Sequence, residues 1–112
     1  MTLTFKFGEF GESNPIRCID SKGNEINIGF ADPTKTTIFI LSENKTKLLD
    51  TISSADFVIA TPNVNWTPTK DQSEKHPPGN YSGEVHLQDL GVTRKTICEF
   101  PVFVEKARGN IT

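Results

Sequence analysis

The sequence predicts an all-β fold, an antiparallel sandwich of about seven or eight strands. Three observations carry that prediction. Short runs rich in Ile, Val, Phe and Thr alternate with polar residues at a period of two. Turn-forming residues separate these runs at intervals of roughly 8–12 positions, the spacing of a sandwich or small barrel. Apolar side chains never recur at helical spacing over a dozen residues.

The elements follow in order. Leu3, Phe5 and Phe7 alternate with Thr4 and Lys6, which gives the first strand one apolar face. Ile16 and Cys18 flank Arg17 in the second. Asp20-Ser-Lys-Gly-Asn24 supplies an Asx-type opening and a glycine able to take positive φ. Ile26 and Ile28, on either side of Asn27, read as the returning strand. Ala31-Asp-Pro33 makes an extended corner. Thr37–Leu41, TIFIL, is apolar throughout and reads as a central strand covered on both faces.

Ser42–Lys45 is a hairpin loop. Lys45–Ala55, KTKLLDTISSA, comes nearest to a helix, but its Thr and Ser favour strand plus turn with at most one helical turn. Phe57–Ala60 and the pair Val64/Trp66 are two further short strands. The carboxylates Asp71 and Glu74 fall in a loop, as do Glu9 and Glu12. Tyr81, Gly83, Val85 and Leu87 share a face opposite Ser82, Glu84, His86 and Gln88. After a loop at Gln88–Gly91, Val92–Glu105 forms the last and longest strand. Pro101 lies inside that pattern, and proline is tolerated there only at an edge or a bulge. A bulge at Glu99–Pro101 is therefore expected to reset the facing between Cys98 and Val102. Residues 107–112 are polar enough to fray. The whole chain, 1–112, reads as a single domain.

The stretch KHPPGNYSGEVHL, Lys75–Leu87, narrows the fold class. Pro77 and Pro78 stiffen a crossing between sheets, and Gly79 allows a backbone conformation that other residues avoid. Tyr81 then starts a strand with its ring inward and its hydroxyl within reach of the preceding loop. This is the tyrosine corner of immunoglobulin-like sandwiches. Those domains place a cysteine two residues later. Here that residue is Gly83, so an antibody-type disulfide is unavailable. The expected core is Phe5, Phe7, Ile16, Cys18, Ile28, Ile38, Ile40, Val64, Trp66, Tyr81, Val85, Leu87 and Val104.

Bulk properties bound the function. The formal net charge is −2, which argues against nucleic acid or an anionic membrane as partner. No segment approaches the ~20 apolar residues of a membrane span. MTLTFKFGEF lacks a basic region followed by an apolar one, so no signal peptide is expected. Cys18 and Cys98 are then expected as free buried thiols rather than a bridge. The sequons at Asn44, Asn65, Asn80 and Asn110 are read as accidents of composition.

Val64-Asn-Trp66, Pro78-Gly-Asn-Tyr81, Gly83-Glu-Val85 and Thr96–Val104 (TICEFPVFV) together resemble phage tail and baseplate proteins. They look like the N-terminal immunoglobulin-like domain of the baseplate upper protein family. Ser13–Asp20 followed by Gly23–Ile28 resembles that family's early hairpin, although Glu25 stands where proline is usual. The resemblance covers roughly Glu9 to Lys106. It implies a structural virion module, assembled in the host cytoplasm, with no catalytic residues.

Chemistry-bearing motifs are not found. No nucleophile elbow, phosphate-binding loop or zinc-protease helix motif occurs. His76 lies in the proline loop and His86 on a solvent-alternating face, and both read as surface side chains. Asp20–Glu25 resembles a calcium loop only superficially, since Lys22 stands where an oxygen ligand is required. No catalytic, cofactor or metal residues are assigned, and an enzyme is not expected.

The expectation is a non-enzymatic tail or baseplate assembly protein that contacts copies of itself and other phage structural proteins. Phe10, Phe30 and Phe103 are the candidate interface residues, because the strand pattern does not place them inside. Arg94-Lys95 reads as a solvated hairpin tip. Capsid decoration is an alternative. So is a carbohydrate-binding sandwich, which requires Trp66 or several Phe on a solvent face.

Overall fold

A computed structural model, which describes residues 2–106, has eight strands in two sheets. They are β1 (Leu3–Lys6), β2 (Asn14–Arg17), β3 (Thr37–Ser42), β4 (Leu48–Ile52), β5 (Phe57–Ala60), β6 (Asn63–Trp66), β7 (Gly79–Gln88) and β8 (Lys95–Glu105). The larger sheet runs β1-β8-β7-β3-β4 and the smaller β2-β6-β5. All pairings are antiparallel except that of β1 with β8. Lettered in chain order A, B, C, C′, D, E, F and G, the sheets are A-G-F-C-C′ and B-E-D. This is an immunoglobulin-like sandwich whose first strand pairs with the last.

The alternation read from the sequence sets the core. Leu3 and Phe5 on β1, Ile38 and Ile40 on β3, Val85 and Leu87 on β7, and Cys98 to Val104 at every second position on β8 face inward. Ile16, Phe57, Val64 and Trp66 meet them from the smaller sheet. Trp66 is 2% exposed, and its ring meets the Phe5 ring edge-on at 5.2 Å across the sandwich. Complete burial of one such aliphatic or aromatic side chain contributes about 1.5–3 kcal/mol. Phe7 and Tyr81 pack against this core while staying half-exposed. Ile52, Phe100 and Val102 are core residues beyond those expected.

The tyrosine corner forms as the sequence predicts. The Tyr81 hydroxyl donates to the Pro77 carbonyl oxygen at 2.6 Å. Gly79 has φ 153°, which only glycine adopts without strain. Two positions after Tyr81, a Cβ at Gly83 would overlap the ring of Phe100, its cross-strand partner, whose Cδ2 would lie 3.0 Å away. The place of the usual disulfide half is thus filled by an aromatic ring from β8.

Several expectations are corrected. No bulge occurs at Glu99–Pro101. The β7–β8 register is unbroken from Gly79↔Val104 to Gln88↔Lys95, and the facing does not reset. Pro101 is tolerated because β1 pairs only from Val102 onward, so on that side Pro101 still has a strand edge. Ile26–Ile28 is not a strand; a single bridge joins Ile19 to Glu25. Its amides bond elsewhere, Ile26 N–H to the Cys18 carbonyl and Ile28 N–H to Thr61 Oγ1. The last strand begins at Lys95, not Val92, because Val92 sits in a turn at φ 54°. β3 is covered on one face only, leaving Phe39 and Leu41 half-buried on the open face.

Asp71 and Glu74 lie in a helix, α1 (Lys70–Lys75), and not in a loop. Thr69 Oγ1 accepts from the Gln72 amide and Gln72 Oε1 accepts from the Thr69 amide, closing a capping box. The short β4, with one 3-10 turn at Ser54–Asp56, matches the reading of Lys45–Ala55. Residues 107–112 and the Asn110 sequon lie outside the described residues.

Candidate interaction surface

The three candidate phenylalanines occupy three different elements. Phe10 stands 52% exposed in the loop between β1 and β2, which is tied to the α1 region by Gly8 N–H to the Ser73 carbonyl and Gly11 N–H to the Pro68 carbonyl. Phe103 is 39% exposed on the outer face of β8. Phe30 packs against the core, with the Arg94 guanidinium 3.8 Å above its ring centroid. Arg94 is therefore a cation–π partner at the hairpin base and not a free tip charge.

Of the other exposed apolar residues, Leu90 and Val92 lie in the β7–β8 loop, and Leu48, Val58 and Ile97 lie on strands. Leu48 lies on β4 and Val58, 65% exposed, on β5. These are the terminal strands of the larger and smaller sheets. Ile97 is 50% exposed on β8. Sequence reasoning passed over Ile97, yet its parity shows it: it shares a face with Glu99, Pro101 and Phe103, opposite buried Cys98 and Phe100.

The open face of the larger sheet also carries charge. Glu84 and Glu99 stand directly opposite one another on β7 and β8. Like charges so placed repel. Their neighbours answer part of it. His86 Nε2 lies 2.9 Å from Glu84 Oε1, with the His86 ring edge-on to Phe39 at 4.7 Å. Lys45 Nζ lies 3.4 Å from Glu99 Oε2, both side chains being about half exposed.

Beside β8, a cleft of about 640 Å³ opens between that strand and the turn at Ile19–Ile26. Ile19, Ile26, Ile97 and Cys98 give it an apolar lining, and Asp20 and Glu99 an acidic rim. Asp20 is held below the usual carboxylate range by the amide hydrogen bonds it accepts, first from Asn24 and then from Lys22, so it shapes the turn. Cys18 and Cys98 are both free and buried, one from each side of the sandwich. The hydrogen bond between these thiols, and then burial, pushes the Cys18 thiol far up, which makes it a poor nucleophile.

His76 is a correction to the sequence reading. It is only 8% exposed, and its ring lies 5.5 Å from that of Tyr81. Its Nε2 is buried without a hydrogen-bond partner, 3.8 Å from Asp50 Oδ2. Asp50 points inward from β4 and accepts from Lys75 Nζ at 2.9 Å. Burial holds the imidazole below its ordinary value of 6.5, against the attraction of Asp50. The cluster fastens the end of α1 to β4. Among the described residues, no group of three His, Cys, Asp or Glu side chains is placed to hold a metal ion.

Trp66 is inside, so a carbohydrate platform built on its ring is not available. No protein-family model, curated protein or solved structure matches the chain. The fold and its surface define an all-β, immunoglobulin-like sandwich with exposed apolar side chains along its strand edges and open sheet face.

Proposed function

We propose that this chain is a non-enzymatic assembly protein of a phage or prophage virion, contacting copies of itself and neighbouring tail or baseplate proteins. The observation that carries the assembly reading is the placement of Leu48, Val58, Ile97 and Phe103 on strand edges and an open face. Exposed apolar edge strands invite pairing with other chains unless they are covered. The virion context is supported by the motif resemblance alone. Its pieces fall on β6, the start of β7 and β8, in the order that the resemblance requires.

Fractionation of phage particles, followed by mass spectrometry, tests the reading. The chain is expected in the particle fraction, with tail or baseplate proteins retained on a tagged copy. Recovery only in the soluble fraction, with no structural protein retained, would overturn it. Recovery with capsids alone would move the protein from tail to head.

A further inference from the structure

We propose that two copies of this chain pair edge to edge through Lys95–Glu99 of β8, antiparallel about a two-fold axis at Ile97. The inference deepens the assembly reading and rests on it only in requiring self-association.

β8 runs from Lys95 to Glu105, but β1 covers its outer edge only from Val102 to Glu105. Among the described residues, no strand pairs with that edge along Lys95–Glu99. Its backbone donors and acceptors are thus open to another chain. The cleft beside this edge leaves room for one, with Ile19 and Ile26 as apolar neighbours.

The side chains select the occupant. Lys95, Ile97 and Glu99 project from the same outer face and are all exposed. Antiparallel pairing centred on Ile97 sets Ile97 against Ile97. It also sets Lys95 of each copy against Glu99 of the other, giving two ion pairs and one apolar contact. The segment is therefore complementary to itself, as an isologous interface requires. Glu99 faces Glu84 across the β7–β8 pair and Lys45 answers only part of that repulsion, so the incoming Lys95 meets the negative charge that remains. A five-residue seam is small, which places the dimer among weak associations.

Sedimentation equilibrium across a wide concentration range tests this on the full chain. The wild type is expected to show a reversible monomer–dimer equilibrium. Ile97→Asp, which sets two carboxylates together on the axis, should abolish the dimer. Lys95→Glu should weaken it about tenfold or more, because it replaces two attractive pairs by two repulsive ones. Adding Glu99→Lys to Lys95→Glu should restore it, because the swapped charges are again complementary. All three positions are exposed, and unchanged circular dichroism confirms that each variant folds. A wild type that stays monomeric at the highest concentration would overturn both this pairing and self-association. A wild-type dimer indifferent to all these substitutions would overturn the pairing and leave self-association standing.

Discussion

The indole N–H of Trp66 donates to Gln72 Oε1 at 3.1 Å. This contact joins the core of the smaller sheet to the first turn of α1. The same oxygen accepts the Thr69 amide, and Gln72 Nε2 donates to Asp56 Oδ2 at 3.0 Å. One glutamine thus caps a helix, satisfies a buried indole and anchors the turn before β5.

Replacement of Gln72 should destabilise the fold beyond the loss of a surface contact. Gln72→Met leaves the buried indole donor without a partner and opens the capping box. A loss of about 1–3 kcal/mol is expected for the orphaned donor, read by urea unfolding. Gln72→Glu keeps an acceptor for the indole but replaces the donor to Asp56 by a second carboxylate, so it too should destabilise, and more at neutral pH than at about pH 4.

Gly83 should tolerate no side chain. Gly83→Ala drives a methyl group into the Phe100 ring, which is 5% exposed and cannot swing into solvent. A loss of about 1–3 kcal/mol is expected from overpacking. Adding Phe100→Leu to Gly83→Ala should recover part of it, and the two changes should be non-additive in a double-mutant cycle.

Val92 holds φ 54°, a conformation that costs a β-branched residue about 1 kcal/mol or more. The turn persists because Asp89 Oδ1 accepts from the Thr93 and Arg94 amides on the far side. Val92→Gly should therefore raise the unfolding midpoint. A lowered midpoint would mean that Val92 makes a contact worth more than its strain.

Burial depresses the His76 value in the folded state. The unfolded chain takes up the proton near the ordinary value of 6.5, while the folded chain resists it to lower pH. Stability is thus full above that value and falls as pH drops through it toward the folded value. His76→Phe should flatten this part of the stability profile relative to wild type, as pH falls below the ordinary value of 6.5. Parallel profiles for the two proteins would contradict the assignment.

Much of the fold was legible because alternation at a period of two survives in short strands. Phe5, Ile38, Val64, Trp66 and Val85 lie inside as their parity requires. The tyrosine corner was legible because Pro, Gly and Tyr act locally, through fixed φ, positive φ and one hydroxyl. What escaped depended on partners distant in sequence. His76 is buried by β4 and Tyr81, which no local pattern reveals. Pro101 needs no bulge because β1, nearly a hundred residues earlier in the chain, begins its pairing one residue later. α1 had a visible signal in Thr69-x-x-Gln72, but six residues are too few for a periodic face. Of the interface candidates, Phe10 and Phe103 are exposed as read, whereas Phe30 is partly buried against the core beneath Arg94.

The central claim is that two sheets close around Trp66 and leave edges and one sheet face for contact. Trp66 is the only tryptophan in the chain, so its fluorescence reports on that closure alone. The folded protein should emit at short wavelength and resist quenching by iodide, with both properties lost together on unfolding. Emission at the wavelength of a hydrated indole, freely quenched in the native protein, would contradict the sandwich and the surface built on it.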